Sequence, residues 1–156
     1  MKHSVLEDIK RRRGAFLAVF LWVLFIWGHS LVQGGASQAE SGVFVTLVRP
    51  FLEAIGVRDP TTQSFIVRKC GHFSEYLVLG LLVHHAARPD WSHMTTRLAV
   101  MLLFIVCVPS LDETIQRFVP GRSSAVRDVF IDLAGAATGL LIATLFSRHR
   151  AKKAHS

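Results

Sequence analysis

The sequence predicts an all-α membrane protein: a four-helix transmembrane bundle with a short interfacial helix in its first outer loop. Three observations predict it. Hydrophobic residues make up 51% of the 156 positions, and the mean hydropathy is +0.39. Charged residues reach only 19%, low for a water-soluble domain of this size. The basic residues flank long apolar runs instead of interrupting them.

The first run is Gly14–Val32, with aromatic Trp22, Phe25 and Trp27. A basic stretch precedes it and the small residues Ala36–Ala39 follow it, so a cleavable signal peptide is its rival reading. The run is longer than a usual signal core, which favours a retained helix. Residues 33–70 form a long outer loop. Gly34, Gly35, Ser37, Ser41 and Gly42 read as irregular chain. Val43–Ile55 then carries an apolar face at Phe44, Leu47, Val48, Phe51 and Leu52, at helical spacing. Pro50 is expected to weaken or split this interfacial helix.

The second run is Gly71–Ala87 and the third extends from Leu98 to about Leu111. Both fall short of the roughly 20 residues a spanning helix needs. They reach that length only when their polar outer ends are helical too. Those ends carry helical spacing and good helix formers, so the third helix is predicted to continue through Asp112–Phe118, with Pro109 a possible kink. Arg88–Arg97 is a short inner loop with Pro89 and Trp91. Val129–Ser147 is the fourth run.

Orientation follows the distribution of Lys and Arg. With the N-terminus inside, the inner segments hold Lys2, Lys10, Arg11, Arg12, Arg13, Arg88, Arg97, Arg148, Arg150, Lys152 and Lys153. The outer ones hold Arg49, Arg58, Arg68, Lys69, Arg117, Arg122 and Arg127, and these sit among acids. Residues 1–13 thus read as a basic cytoplasmic N-terminus, 14–147 as the membrane domain and 148–156 as a basic cytoplasmic tail. The net charge of +7 suits an anionic lipid surface. No nucleic-acid-binding motif accompanies it, so nucleic acid is excluded as a partner. Cys70 and Cys107 fall at different depths, form no CxxC pair, and predict no disulfide.

Polar residues cluster at the outer ends of the last three helices. Lys69, His72 and Tyr76 recur at i, i+3, i+7, with Glu75 three past His72, on a face continuing to Leu79 and Gly80. A snorkelling belt explains Lys69 and Tyr76, but not Glu75, whose carboxylate would be costly against lipid. Asp112 shares a face with Gln116, and Glu113 with Arg117. A solvated helix end is the bland alternative. Its weakness is that both acids directly follow the apolar stretch. Asp128, Asp132, Gly135 and Gly139 lie on one stripe. The two glycines offer a close-packing surface to another helix, and Asp128 suits a helix N-terminus.

At these residues the sequence resembles the VanZ-like family. The family's RK-x-x-HF-x-EY stands here as Arg68-Lys69, His72-Phe73 and Glu75-Tyr76. Its DE-x-x-Q-x-F-x-PGR stands as Asp112-Glu113, Gln116, Phe118 and Pro120-Gly121-Arg122. Its R-D-x-x-x-D-x-x-G stands as Arg127-Asp128, Asp132 and Gly135. A weaker likeness covers Ser30, Gln33, Ser37 and Ser41, and the whole resemblance spans about residues 14–147. It implies a bacterial cytoplasmic-membrane protein. The family's namesake is associated with lowered sensitivity to teicoplanin, a lipid-tailed glycopeptide, and the resemblance implies no settled chemistry.

The expected ligand-binding set is Lys69, His72, Glu75, Tyr76, Asp112, Glu113, Gln116, Arg117, Arg122, Asp128 and Asp132. Its cations suit the head group of an anionic lipid or lipid-linked envelope precursor, and no cofactor or metal is assigned. A second reading is enzymatic, with His72, Glu75, Asp112 and Glu113 as candidate catalytic groups: His72 would pair with Glu75 or Asp112 as acid and base, or carboxylates and His would hold a metal. No P-loop or HExxH motif supports it. A third reading is structural, with charges that clip helices together. Transport ranks last, because the inner helix halves offer few polar points.

Overall fold

The computed structural model describes residues 2–31, 34–87, 94–120 and 125–154, and within them the side chains outside 2–12, 34–41, 94–97, 100 and 154. The described residues form five helices and no strand: α1 Lys2–Ser30, α2 Gly34–Ala54, α3 Pro60–Ala86, α4 Met94–Gln116 and α5 Val126–Ala154. Residues 88–93, most of the expected inner loop, lie outside the described residues, as do Gly121 and Arg122. Of the basic segments at either end, residues 2–13 lie in α1 and residues 148–154 in α5.

The main departure from expectation is α2. It starts at Gly34, where irregular chain was predicted, and runs 21 residues without splitting at Pro50. Each glycine in a helix costs only about 1 kcal/mol relative to alanine, which tertiary packing outweighs. The apolar face of α2 turns outward: Phe44, Leu47, Val48 and Phe51 are exposed, while Val45 and Leu52 are buried. Termination is local. Gly56 takes a φ of 89°, and Val57 N–H and Gly56 N–H donate to the Leu52 and Glu53 carbonyls at 2.8 and 3.0 Å. This is a Schellman closure, which favours glycine at that position. Asp59 then caps α3, accepting from Thr62 N–H at 2.7 Å and Thr62 Oγ1–H at 2.6 Å, with Pro60 in the first turn. These bonds, the Thr62 hydroxyl first, hold the Asp59 carboxyl below the usual aspartate range.

Helix α3 is the hub, touching α1, α2, α4 and α5. Its contact with α5 is by far the most extensive, and glycine explains why. A Cβ on Gly80 would overlap the Ala136 carbonyl. One on Gly135 would overlap the Phe73 carbonyl, and one on Gly139 the Leu77 carbonyl. The two backbones therefore touch directly. The pairings Phe73 with Gly135 and Leu77 with Gly139 advance together, so α3 and α5 run parallel. At this register Lys69–Tyr76, in the middle of α3, comes level with Asp128–Asp132 at the start of α5.

The core joins Val19, Val23 and Ile26 of α1 to Tyr76, Leu79 and Val83 of α3, Met101, Ile105 and Val108 of α4, and Ala136 of α5. Helix α1 thus supplies a full share of the core, as a structural helix does. Large apolar side chains also face outward, among them Phe20, Leu24, Leu103, Phe130 and Leu145. Such a belt suits lipid and not water. By length and composition, Arg13–Ser30 and Val126–Lys153 are each apolar enough to cross a membrane. Pro109 sits within a continuous α4, and Cys70 and Cys107 are free and exposed.

Gly139→Ala is expected to destabilise the protein by about 1–3 kcal/mol, as an overpacked contact does. Gly28→Ala, whose added Cβ meets nothing within 4 Å, should stay within about 0.5 kcal/mol of the parent. Denaturant unfolding in detergent measures both.

Candidate functional site

The end of the bundle where α1 and α4 finish and α5 begins gathers side chains from four helices. From α1, Trp22 Nε1–H donates to the Glu75 carbonyl at 2.9 Å. His29 Nδ1 lies 2.8 Å from Glu75 Oε1. Trp22, Phe25 and His29 form a stacked row, with ring centroids 5.0 and 6.3 Å apart. Glu75 therefore pairs with His29, a residue outside the acid–base pairs considered from sequence. His72 points to α5 instead, with Nδ1 3.8 Å from Asp132 Oδ1.

Asp112 and Gln116 share the inward face of α4 as their spacing requires. Gln116 Nε2–H donates to Asp112 Oδ2 at 3.1 Å and to Ser30 Oγ at 3.0 Å, which ties the end of α1 to the end of α4. Glu113, one residue on, reaches a different target. It accepts from the Ala125 N–H at the entry to α5, and so fixes where α5 begins. Lys69 Nζ lies 2.5 Å from Asp128 Oδ2, which clamps the third turn of α3 to the first turn of α5. Asp128 is thus engaged by a lysine as well as suited to its helix end. Lys69 and Arg127 also both lie over the Phe65 ring, at 5.3 and 5.1 Å.

Tyr76, Asp112, Glu113, Gln116 and Asp132 are buried. Lys69, His72, Glu75 and Asp128 are partly buried, and Arg117 is exposed in the turn after α4. The cation set expected from sequence is therefore rearranged. Lys69 is engaged by Asp128, Arg117 sits at the surface, and Arg122 lies outside the described residues. A cation not counted in that set takes the inner position: Arg68, whose Nε is buried without a hydrogen-bond partner.

Arg68 borders a cavity of about 520 Å³ between α1, α2 and α3. Trp22, Phe25, Phe44, Val67 and Val78 form its apolar walls, and His29, Arg68, His72, Ser74 and Glu75 its polar part. A second cavity of about 380 Å³, between α1 and α4, has an almost wholly apolar lining that includes Trp27 and Cys107. Sequence spacing missed His29, Ser30 and Arg68. The available signal was the run Trp22, Phe25, His29 at i, i+3, i+7, which puts the imidazole on the aromatic face of α1.

Fold and site together define an all-helical protein with two helices apolar enough to cross a membrane, whose buried acidic side chains collect at one end of its bundle. A family model described as VanZ/LLP1 matches residues 15–147, and the chain belongs to that family. No curated protein and no solved structure matched the chain.

In a double-mutant cycle, His29→Gln and Glu75→Gln should be non-additive by about 1 kcal/mol. Additive effects on unfolding would mean that the pair carries no coupling.

Proposed function

We propose that this protein crosses the bacterial cytoplasmic membrane four times, through α1, α3, α4 and α5. Both termini lie in the cytoplasm, and α2 lies along the outer interface with its apolar face toward lipid. The charge distribution supports this orientation. In that orientation the polar end of the bundle lies at head-group depth. There the protein binds an anionic amphiphile, an envelope lipid or a lipid-linked envelope precursor. Through such binding it would act in the envelope, as the association of the family's namesake with a lipid-tailed glycopeptide suggests.

The observation that carries this reading is the cavity beside Arg68. Its volume of about 520 Å³ falls in the range of about 300–1,000 Å³ typical of ligand sites. Apolar walls suit an acyl or prenyl chain. The buried Arg68 Nε, which has no hydrogen-bond partner, suits a phosphate or carboxylate oxygen. His29 and Glu75, already paired, give the head group a donor and an acceptor beside that cation. A purely structural clip would satisfy that buried Nε within the protein.

Mass spectrometry of lipids bound to the purified protein tests the reading. A charge-assisted hydrogen bond contributes roughly 1.5–3 kcal/mol, about tenfold or more in occupancy. Arg68→Gln should therefore lose an anionic amphiphile that the parent retains. Identical bound lipids in both proteins would contradict the assignment.

A further inference from the structure

Beneath the cavity, His72, Asp112 and Asp132 converge from α3, α4 and α5. One donor atom from each lies within 4.8 Å of the other two. Asp112 is 0% exposed and Asp132 1%. Neither oxygen of Asp132 has a hydrogen-bond partner, and neither does Oδ1 of Asp112. The His72 nitrogen, 3.8 Å from Asp132 Oδ1, is beyond hydrogen-bonding range. Lys69, the near cation, is held by Asp128. Two carboxylates buried side by side, three of their four oxygens without a hydrogen-bond partner, are costly unless a positive charge lies between them.

We infer that His72, Asp112 and Asp132 bind one divalent first-row metal ion. Bonds of about 2.0–2.2 Å to nitrogen and oxygen hold neighbouring donors of a tetrahedral ion roughly 3.4 Å apart, so the three donors, all within 4.8 Å of one another, need to close in only slightly. An imidazole with two carboxylates and no thiolate suits Zn²⁺ or Mn²⁺. Gln116, donating to Asp112 Oδ2 at 3.1 Å, orients that carboxylate as outer partners orient metal ligands. Three helices supply one donor each, so the ion would lock α4 against the α3–α5 pair. His72 also borders the cavity, which places the ion one side chain from whatever fills it. The inference does not depend on the lipid-binding reading, and its test contains no lipid ligand.

The untagged full chain, purified in detergent and stripped with chelator, is titrated with Zn²⁺ or Mn²⁺ alone. Bound metal is counted by elemental analysis, and thermal unfolding is followed with and without the ion. One ion per chain is expected, with an upward shift in Tm. Asp132→Asn and His72→Gln should each weaken binding at least tenfold. Glu53→Gln, exposed on α2, should bind as the parent does. Metal-free Asp132→Asn should melt no lower than the metal-free parent, since it removes a buried charge without a donor. Failure of the parent to take up one ion, or unchanged affinity in Asp132→Asn, overturns the inference. So does a metal-free Asp132→Asn that melts well below the metal-free parent, which would identify a plain His72–Asp132 clip.

Discussion

Backbone contact between α3 and α5 is the constraint on which the rest depends. Gly80, Gly135 and Gly139 have no Cβ, so the Phe73, Leu77 and Ala136 carbonyls lie where side chains would otherwise stand. Helices this close have a fixed register, because sliding one turn would drive larger residues into the same carbonyls. Register in turn sets chemistry. With Phe73 against Gly135, Lys69 meets Asp128 and His72 faces Asp132. A shift of one turn would separate both pairs.

The other helices complete the polar end by different means. Helix α1 reaches it with a tryptophan and a histidine that grip Glu75 from main chain and side chain. Helix α4 brings Asp112 inward and uses Glu113 to hold the start of α5. Two adjacent acids thus divide between an inward role and a positioning role, because neighbouring helical residues point about 100° apart. Charge is compensated unevenly as a result. The rim has Lys69 with Asp128 and His29 with Glu75, while Asp112 and Asp132 lie deeper.

Much of this was legible in the sequence. The glycine stripe through Gly135 and Gly139, and Gly80 on α3, announced a close helix contact. The continuation of α4 through Asp112–Gln116 followed from helical spacing. What spacing could not supply was partnership across helices. An i+4 pattern tells which residues share a face, not which residue of another helix stands opposite. Glu75 therefore could not be assigned to His29 rather than His72, and Arg68 could not be told from Lys69 as the cation at the cavity. The start of α2 at Gly34 was hidden for another reason: glycine and serine lower local helix propensity. The Asp59-Pro60-Thr61-Thr62 cap was readable in hindsight, since aspartate before proline at a helix start is a local signal.

The central claim is that α3, α4 and α5 meet at one level through His72, Tyr76, Asp112 and Asp132. Paired cysteines test it most directly, in a background where exposed Cys70 and Cys107 are replaced by alanine. The pairs His72→Cys with Asp132→Cys, and Tyr76→Cys with Asp112→Cys, are treated in native membranes with a short bifunctional thiol reagent. Both pairs should cross-link, whereas His72→Cys with Leu145→Cys should not. Reaction of the third pair alone, or of none, would contradict the arrangement.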